Sequence, residues 1–259
     1  MTRGRRLGIT SALVAAAIAA AASLLSLSLS LPGADAPTPT PSRLETGASG
    51  PAGPLLTRSG LATMTEGKLL VDGDAVRALA MALPEAEPST SATEAWAPLK
   101  RDHFGQRWAD VDHNGCDTRN DILGRDLRSP QFQSGTRDCK VIAGVLEDPY
   151  TGQSIPVDAE TISKSVQIDH VVPLHWAWLH GADKLTDDQR RQLANDPDNL
   201  AAVASSANAA KSDSGPAEWL PRPEDQCSYV ATFTAVLQKY SLTIDPADRS
   251  AIVDLSNRC

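Results

Sequence analysis

The sequence has no excess of positive charge. Its 259 residues carry 24 Lys and Arg against 32 Asp and Glu, a formal net charge of −8. A chain of that sign does not coat nucleic acid through a general basic surface, so any positive ground on it is local. Aromatic residues are scarce as well: 3 Phe, 3 Tyr and 5 Trp. With so few large rings to fill a core, Trp96, Trp108, Trp176, Trp178 and Trp219 are read as core anchors before base-stacking platforms. No cysteine precedes position 116, which excludes a lipid anchor on a cysteine just after the apolar N-terminal run. No CxxC pair occurs, so Cys116, Cys139, Cys227 and Cys259 lack the spacing of a four-thiolate zinc site. Internal repeats are also missing, which excludes a repeat architecture.

What is present divides the chain. Arg3, Arg5 and Arg6 precede an apolar run from about Leu7 to Leu31, and Ala34-Asp35-Ala36 offers small residues where a signal peptidase reads. Residues 1–36 therefore read as a secretory signal, and the protein as secreted. The run is also long enough to span a bilayer, at about 20 residues, so an uncleaved anchor with the remainder outside is the alternative. Removing residues 1–36 leaves 21 basic against 31 acidic residues, or −10. Residues 37–60, with Pro37-Thr38-Pro39-Thr40-Pro41 and then Gly47, Gly50, Pro51, Gly53 and Pro54, read as a linker that buries too little to offset its ordering entropy. Residues 61–94 form a flanking segment, where Val76, Leu79, Ala80 and Leu83 at helical spacing predict a short helix ended by Pro84. Residues 95–259 are long enough for one domain with its own core. Four cysteines behind an export signal favour two disulfides.

Within that domain, Ser165-Val166-Gln167-Ile168 alternates polar and apolar and predicts a strand, with a break at Pro173. Leu174 to His180 predicts a short helix closed by Gly181. Thr186 and Gln189 form a capping box for a helix reaching about Asn195. Asn199 to Ser205 predicts a second strand, and Ser206 to Lys211 a helix. Strand, insertion, strand, helix is compatible with a ββα-metal core. Tyr229, Phe233, Val236, Leu237 and Tyr240 trace one face of a long helix. Asp245-Pro246 opens another that carries Ile252, Val253 and Leu255. Cys227 begins the first and Cys259 ends the second, so an antiparallel hairpin makes them neighbours and leaves Cys116 for Cys139. The fold class is α+β: a ββα-metal (HNH) core with added helices and a C-terminal helical hairpin.

The chemistry concentrates at Asp169-His170, Asn199 and Asn208-Ala209-Ala210-Lys211. His170 suits a general base, since imidazole can take a proton from an attacking water near neutral pH. Asp169 and Asn208 offer the oxygen ligands that Mg2+ or Mn2+ prefers. Lys211, one helical turn beyond Asn208, suits a neighbouring phosphate, and Arg119 suits either a phosphate or a buried ion pair. Adjacent strand residues point to opposite faces, so Asp169 and His170 share one site only if the chain bends between them. Asn199 then reads as a tie that bonds the backbone of the His170 loop. The plain reading of each residue alone is a surface pair or a solvated side chain; order and spacing together favour the site. Asp110-Val111-Asp112-His113-Asn114-Gly115, with Asp121 at the twelfth position, matches the first half of an EF-hand calcium loop. Its plain reading is an Asn-Gly turn.

These residues resemble the HNH motif in the nuclease domain of CRISPR effector enzymes, in which the Asp and second Asn bind the metal and the His is the base. Trp108 to Cys259 more closely resembles a family of secreted bacterial HNH proteins related to the C-terminal domain of the GmrSD modification-dependent restriction enzymes. The stretches that carry this include residues 115–121, Asp148-Pro149-Tyr150-Thr151-Gly152, Ala194-Asn195-Asp196 and Pro216-Ala217-Glu218-Trp219-Leu220-Pro221. His175 departs from the pattern, standing where small residues are expected. The resemblance implies an endonuclease hydrolysing DNA, or also RNA, to 5′-phosphate products with one divalent ion. A secreted binding module with a degenerate nuclease fold, holding calcium or a cell-surface partner, is the alternative from another class.

Overall fold

The computed structural model describes residues 53–86 and 101–259. The expected signal, most of the expected linker and Trp96 lie outside them. In chain order the elements are α1 (Gly53–Arg58), β1 (Ala62–Thr65), β2 (Lys68–Val71), α2 (Gly73–Ala82), α3 (Thr118–Asp126), β3 (Leu127–Phe132), β4 (Val141–Glu147), β5 (Ser154–Val157), α4 (Ile162–Ser165), β6 (Val166–His170), α5 (Leu174–Leu179), α6 (Asp187–Asn195), β7 (Leu200–Ala204), α7 (Ser205–Lys211), α8 (Gln226–Lys239) and α9 (Pro246–Ser256). The mixture of helices with small sheets is α+β.

The antiparallel pair β6–β7 divides the interior. Val166 and Ile168 of β6, with Leu200 and Ala202 of β7, face a smaller apolar cluster built from α3 and the three-stranded sheet β3–β4–β5. Ala201 and Val203 face a larger cluster with α5, α8 and α9. The two-residue side-chain period of a strand produces this split directly.

The ends of the helices follow their caps. The Asp117 carboxylate accepts from Asn120 N and starts α3, and Thr186 and Gln189 close the reciprocal capping box of α6. Asp245 accepts from the amides of Ala247 and Asp248 at the start of α9. Each satisfies amides that a helix start leaves without intrahelical partners. Gly181 takes φ +110° after α5, a conformation suited to glycine.

Two expectations change. The last residues of the expected linker form α1, with Leu55 and Leu56 buried in the larger cluster. Residues 61–86 contain a β1–β2 hairpin as well as the expected helix, α2, whose Val76 and Ala80 are fully buried against the C-terminal helices. The flanking segment is thus part of the main core, because its buried leucines and valines share one apolar cluster with residues of α8 and α9. At Gly73 an added Cβ would meet the Ser256 carbonyl oxygen, so α2 and α9 approach as closely as glycine permits.

Both disulfides join the expected partners, Cys116–Cys139 and Cys227–Cys259. The second ties the first turn of α8 to Cys259, three residues beyond α9 and next to Gly73 of the N-terminal wing. Replacing Cys227 and Cys259 together by Ser should cost about 2–4 kcal/mol, read as a lower urea midpoint with an unchanged native spectrum. An unchanged midpoint would show that the bond constrains nothing the fold lacks.

Candidate functional site

Asp169 lies opposite Ala201 and His170 opposite Leu200, in an unbroken antiparallel register. The bend expected between Asp169 and His170 is absent; the chain leaves the strand only afterwards, at Val171–Pro173. A regular strand sends the two side chains to opposite faces, and their contacts show it.

The Asp169 carboxylate is buried. Lys211 Nζ lies 3.1 Å from Oδ1 and 3.0 Å from Oδ2, and Tyr150 Oη donates to Oδ2 at 2.6 Å. Lys211 Nζ also donates to the His170 carbonyl at 2.8 Å. Burial raises the Asp169 carboxyl above its ordinary range, and the Lys211 charge opposes that rise. Lys211 was expected to reach a phosphate; instead it is fully buried, because Ala207, one turn earlier, carries this face of α7 into the core. Burial and the Asp169 charge push the Tyr150 phenol well above its ordinary value, so it stays a donor.

The His170 ring faces the other way. Its Nε2 lies 2.9 Å from the carbonyl oxygen of Ala194, near the C-terminal end of α6. A carbonyl only accepts, so Nε2 carries the proton and Nδ1 keeps the lone pair of the neutral imidazole. The Trp108 ring lies nearly parallel to it, with centroids 6.3 Å apart and planes at 11°. Burial, with lesser effects of Arg101, Lys211 and Arg107, lowers the His170 pKa to about 4.

Asn199 is fully buried. Its Oδ1 accepts from Val172 N at 2.8 Å, its Nδ2 donates to Val172 O at 3.2 Å, and its own carbonyl accepts from Val171 N at 2.8 Å. The segment after His170 is thereby fastened to the entry of β7. Asn208 lies one turn before Lys211 on α7, half-exposed, and its amide makes no hydrogen bond among the described residues. Arg119 lies on the β6 side of α3. Its Nη2 donates to the Val166 carbonyl at 3.3 Å, and burial lowers its pKa. His175 Nδ1 is 3.2 Å from Asp213 Oδ2. In the loop after Ala109, Asn114 bonds Asp110, Asp112 and Asp121. The site brings together Asp169 and Lys211 on one face of β6 and leaves His170 on the other; Asn199 fixes the exit between them.

Sequence reading missed the strap that covers His170. Residues 101–109 run over α6. Arg190 Nε donates to His103 O, Asn195 Oδ1 accepts from Ala109 N, and Asn195 Nδ2 donates to Gln106 O. The Trp178 ring stacks on that of His103 with centroids 4.8 Å apart, and the Arg190 guanidinium carbon lies 5.7 Å from its centroid. Trp108 opens the stretch that carries the family resemblance and was a signal; Arg101 and Arg107 show no pattern that singles them out. Tyr150 sat in a matching stretch, but nothing local links it to Asp169.

Asn199→Ala leaves a buried N–H and a buried C=O of Val172 without partners, at about 1–3 kcal/mol each, so urea unfolding should show a loss in the range of their sum. Lys211→Met leaves Asp169 uncompensated and should cost roughly 3–5 kcal/mol. Combining it with Asp169→Asn should return most of that loss. Simple additivity of the two single losses would show that the pair is not energetically coupled.

A family model described as the C-terminal domain of GmrSD restriction endonucleases matches residues 117–254. An uncharacterized secreted protein of Arthroderma benhamiae is 36% identical over 147 residues, which make up 56% of this chain and 68% of that protein. No solved structure matches. Nothing in these comparisons confines the family to bacteria. Among the described residues no helix is long and apolar enough to cross a membrane. The matched region takes in both strands and the helix that carry Asp169, His170, Asn199, Asn208 and Lys211, and by that match the chain belongs to the family of GmrSD restriction endonuclease C-terminal domains.

Proposed function

We propose that this chain is a secreted HNH endonuclease that hydrolyses phosphodiester bonds in DNA, with β6, β7 and α7 as its ββα-metal core. The observation that carries this reading is His170: a neutral imidazole at a strand end, its Nε2 proton held by the Ala194 carbonyl and its Nδ1 lone pair available. The nuclease family of the chain and the secreted relative support it.

Among the described residues, no three His, Cys, Asp or Glu side chains gather to hold an ion. A hard cation here therefore needs amide, water and substrate oxygens beside one carboxylate. Asp169 already receives Lys211, Tyr150 and the His170 backbone amide, so little of its acceptor capacity is left for an ion. The Asn208 amide lies on the same helix as Lys211, one turn away, and so on the side of α7 that meets β6. Asp169 and His170 lie on opposite faces of β6, so an Mg2+ or Mn2+ ion on Asp169 would reach the phosphate at His170 only with a bend at that strand end, and it would be held weakly because Lys211 already cancels the charge of Asp169. When bound, the ion supplies Lewis-acid stabilisation of the phosphate and of the departing oxygen.

The residues of the chain do the rest. His170 Nδ1 takes a proton from water as the water oxygen bonds to phosphorus and the P–O3′ bond breaks. The products carry a 5′-phosphate and a 3′-hydroxyl, whose proton comes from solvent. The low His170 pKa keeps the ring unprotonated before the reaction, and an arriving phosphate anion raises its basicity. Trp108 and the Ala194 carbonyl keep the ring from turning.

With Mg2+ present, His170→Ala should slow plasmid cleavage by roughly 10²-fold or more, with little change in the melting curve. Near-normal cleavage by that purified variant would sink the assignment. Chelation should stop the unaltered protein and added Mg2+ or Mn2+ should restore it. Asn208→Ala should raise the Mg2+ needed for half-maximal rate. A well-folded protein that cleaves neither DNA nor RNA with either ion would instead be a binding module.

A further inference from the structure

Two guanidinium groups on the strap over His170 have no ion-pair partner among the described residues. Arg101 begins the short 3-10 helix Arg101–Phe104, is partly buried, and its buried Nη1 makes no hydrogen bond among the described residues. Arg107, on the same strap, is exposed. Among the described residues neither has a carboxylate within ion-pair distance, although Asp102 is next to Arg101 in the chain and its charge is felt there. Arg107 directly precedes Trp108, whose ring lies over that of His170, and Arg101 opens the same strap.

Their backbone is held firmly. The strap is bonded to α6 through Arg190 and Asn195. Phe104 is fully buried and meets Trp178 edge-on. The same helix offers the Ala194 carbonyl to His170, so one rigid element sets the positions of both arginines and the imidazole. Arg101, partly buried with a guanidinium nitrogen that makes no hydrogen bond among the described residues, is a cation that an arriving anion would satisfy. Guanidinium forks match phosphate oxygens in planar, bidentate geometry. Lys211 cannot serve that purpose, being buried on Asp169.

We propose that Arg101 and Arg107 form a clamp for a backbone phosphate of the nucleic acid, holding it beside His170. The proposal rests on the endonuclease reading above. Such contacts position the strand without reading bases, so the clamp acts on all sequences alike. It also supplies two positive charges where the weak ion site supplies few.

Equilibrium binding tests this apart from cleavage. The full-length protein is titrated onto a fluorescently labelled DNA duplex in EDTA across a salt series. Arg101→Ala and Arg107→Ala should each weaken binding by roughly 10-fold or more. Each should lower the slope of log K against log salt by about 0.9. Arg101→Lys should keep the slope while losing part of the affinity. Arg77→Ala, on the exposed side of α2, should change neither. Binding within twofold of the unaltered protein for Arg107→Ala, an exposed side chain whose removal spares the fold, would overturn the clamp. Failure of the unaltered protein to bind at low salt would do so too. Loss of binding in the arginine variants, with no cleavage by the unaltered protein under Mg2+ or Mn2+, would leave the clamp standing and remove the nuclease reading. Cleavage with normal KM in both variants would do the reverse.

Discussion

The buried contact of Lys211 with Asp169 sets the geometry around it. The ammonium meets both carboxylate oxygens and the His170 carbonyl, and Tyr150 fills another position on the carboxylate. An ion pair in the interior needs this degree of satisfaction, because desolvation alone costs several kcal/mol per ion. Three bonds from one ammonium also fix the rotation of α7 against β6. That rotation decides where Asn208 sits and leaves its amide open. Tyr150 extends the constraint outward, since its ring packs on Trp219 and Tyr229 and so links the pair to α8.

The other face of β6 follows a different logic. There the determining partner is a helix end: α6 presents a carbonyl to His170, which selects the tautomer and orients the ring. The stretches that carry the family resemblance mostly build this scaffold. Asn195 pins the strap, and Asp148 receives the amides of Thr151 and Ala204, joining the turn before β5 to β7. Ala217 N meets Asp248, which also receives the Trp176 indole. A net acidic chain can still offer local positive charge, because among the described residues Arg101 and Arg107 of the strap form no ion pair.

Much of this was legible in the sequence where a local rule operates. The capping box of α6, the Asp-Pro start of α9, the two strands of the β6–β7 pair and the helix after them all rest on short-range spacing, and the disulfide pairing followed from the order of the last two helices. The contacts of Asn199 with Val172 coincide with the tie inferred for it. The sheet β3–β4–β5 was not legible. Pro130, Pro156 and Gly144 interrupt its alternation, and β3 pairs with β4 through register shifts. The N-terminal wing was hidden by its prolines and glycines, since its few leucines gain meaning only from partners about 170 residues away, a separation seen between Arg249 and Ala80. The inward turn of Lys211 was hidden because a lysine three residues after an exposed asparagine reads the same whether its stem runs to solvent or into a core.

The close fit of α2 against α9 at Gly73 has a bearing on how the protein comes into being. Ribosomes deliver a chain from its N-terminus at roughly 5–20 residues per second. Leu55, Leu56, Val76 and Ala80 emerge early, yet the surfaces that cover them belong largely to α8 and α9. For most of synthesis the wing can only wait, its apolar residues without a home, and loop closure over so long a span comes late. The molecule therefore completes itself from its two ends at once. A nascent chain stopped short of α9 would leave that apolar surface uncovered and would lack a finished core.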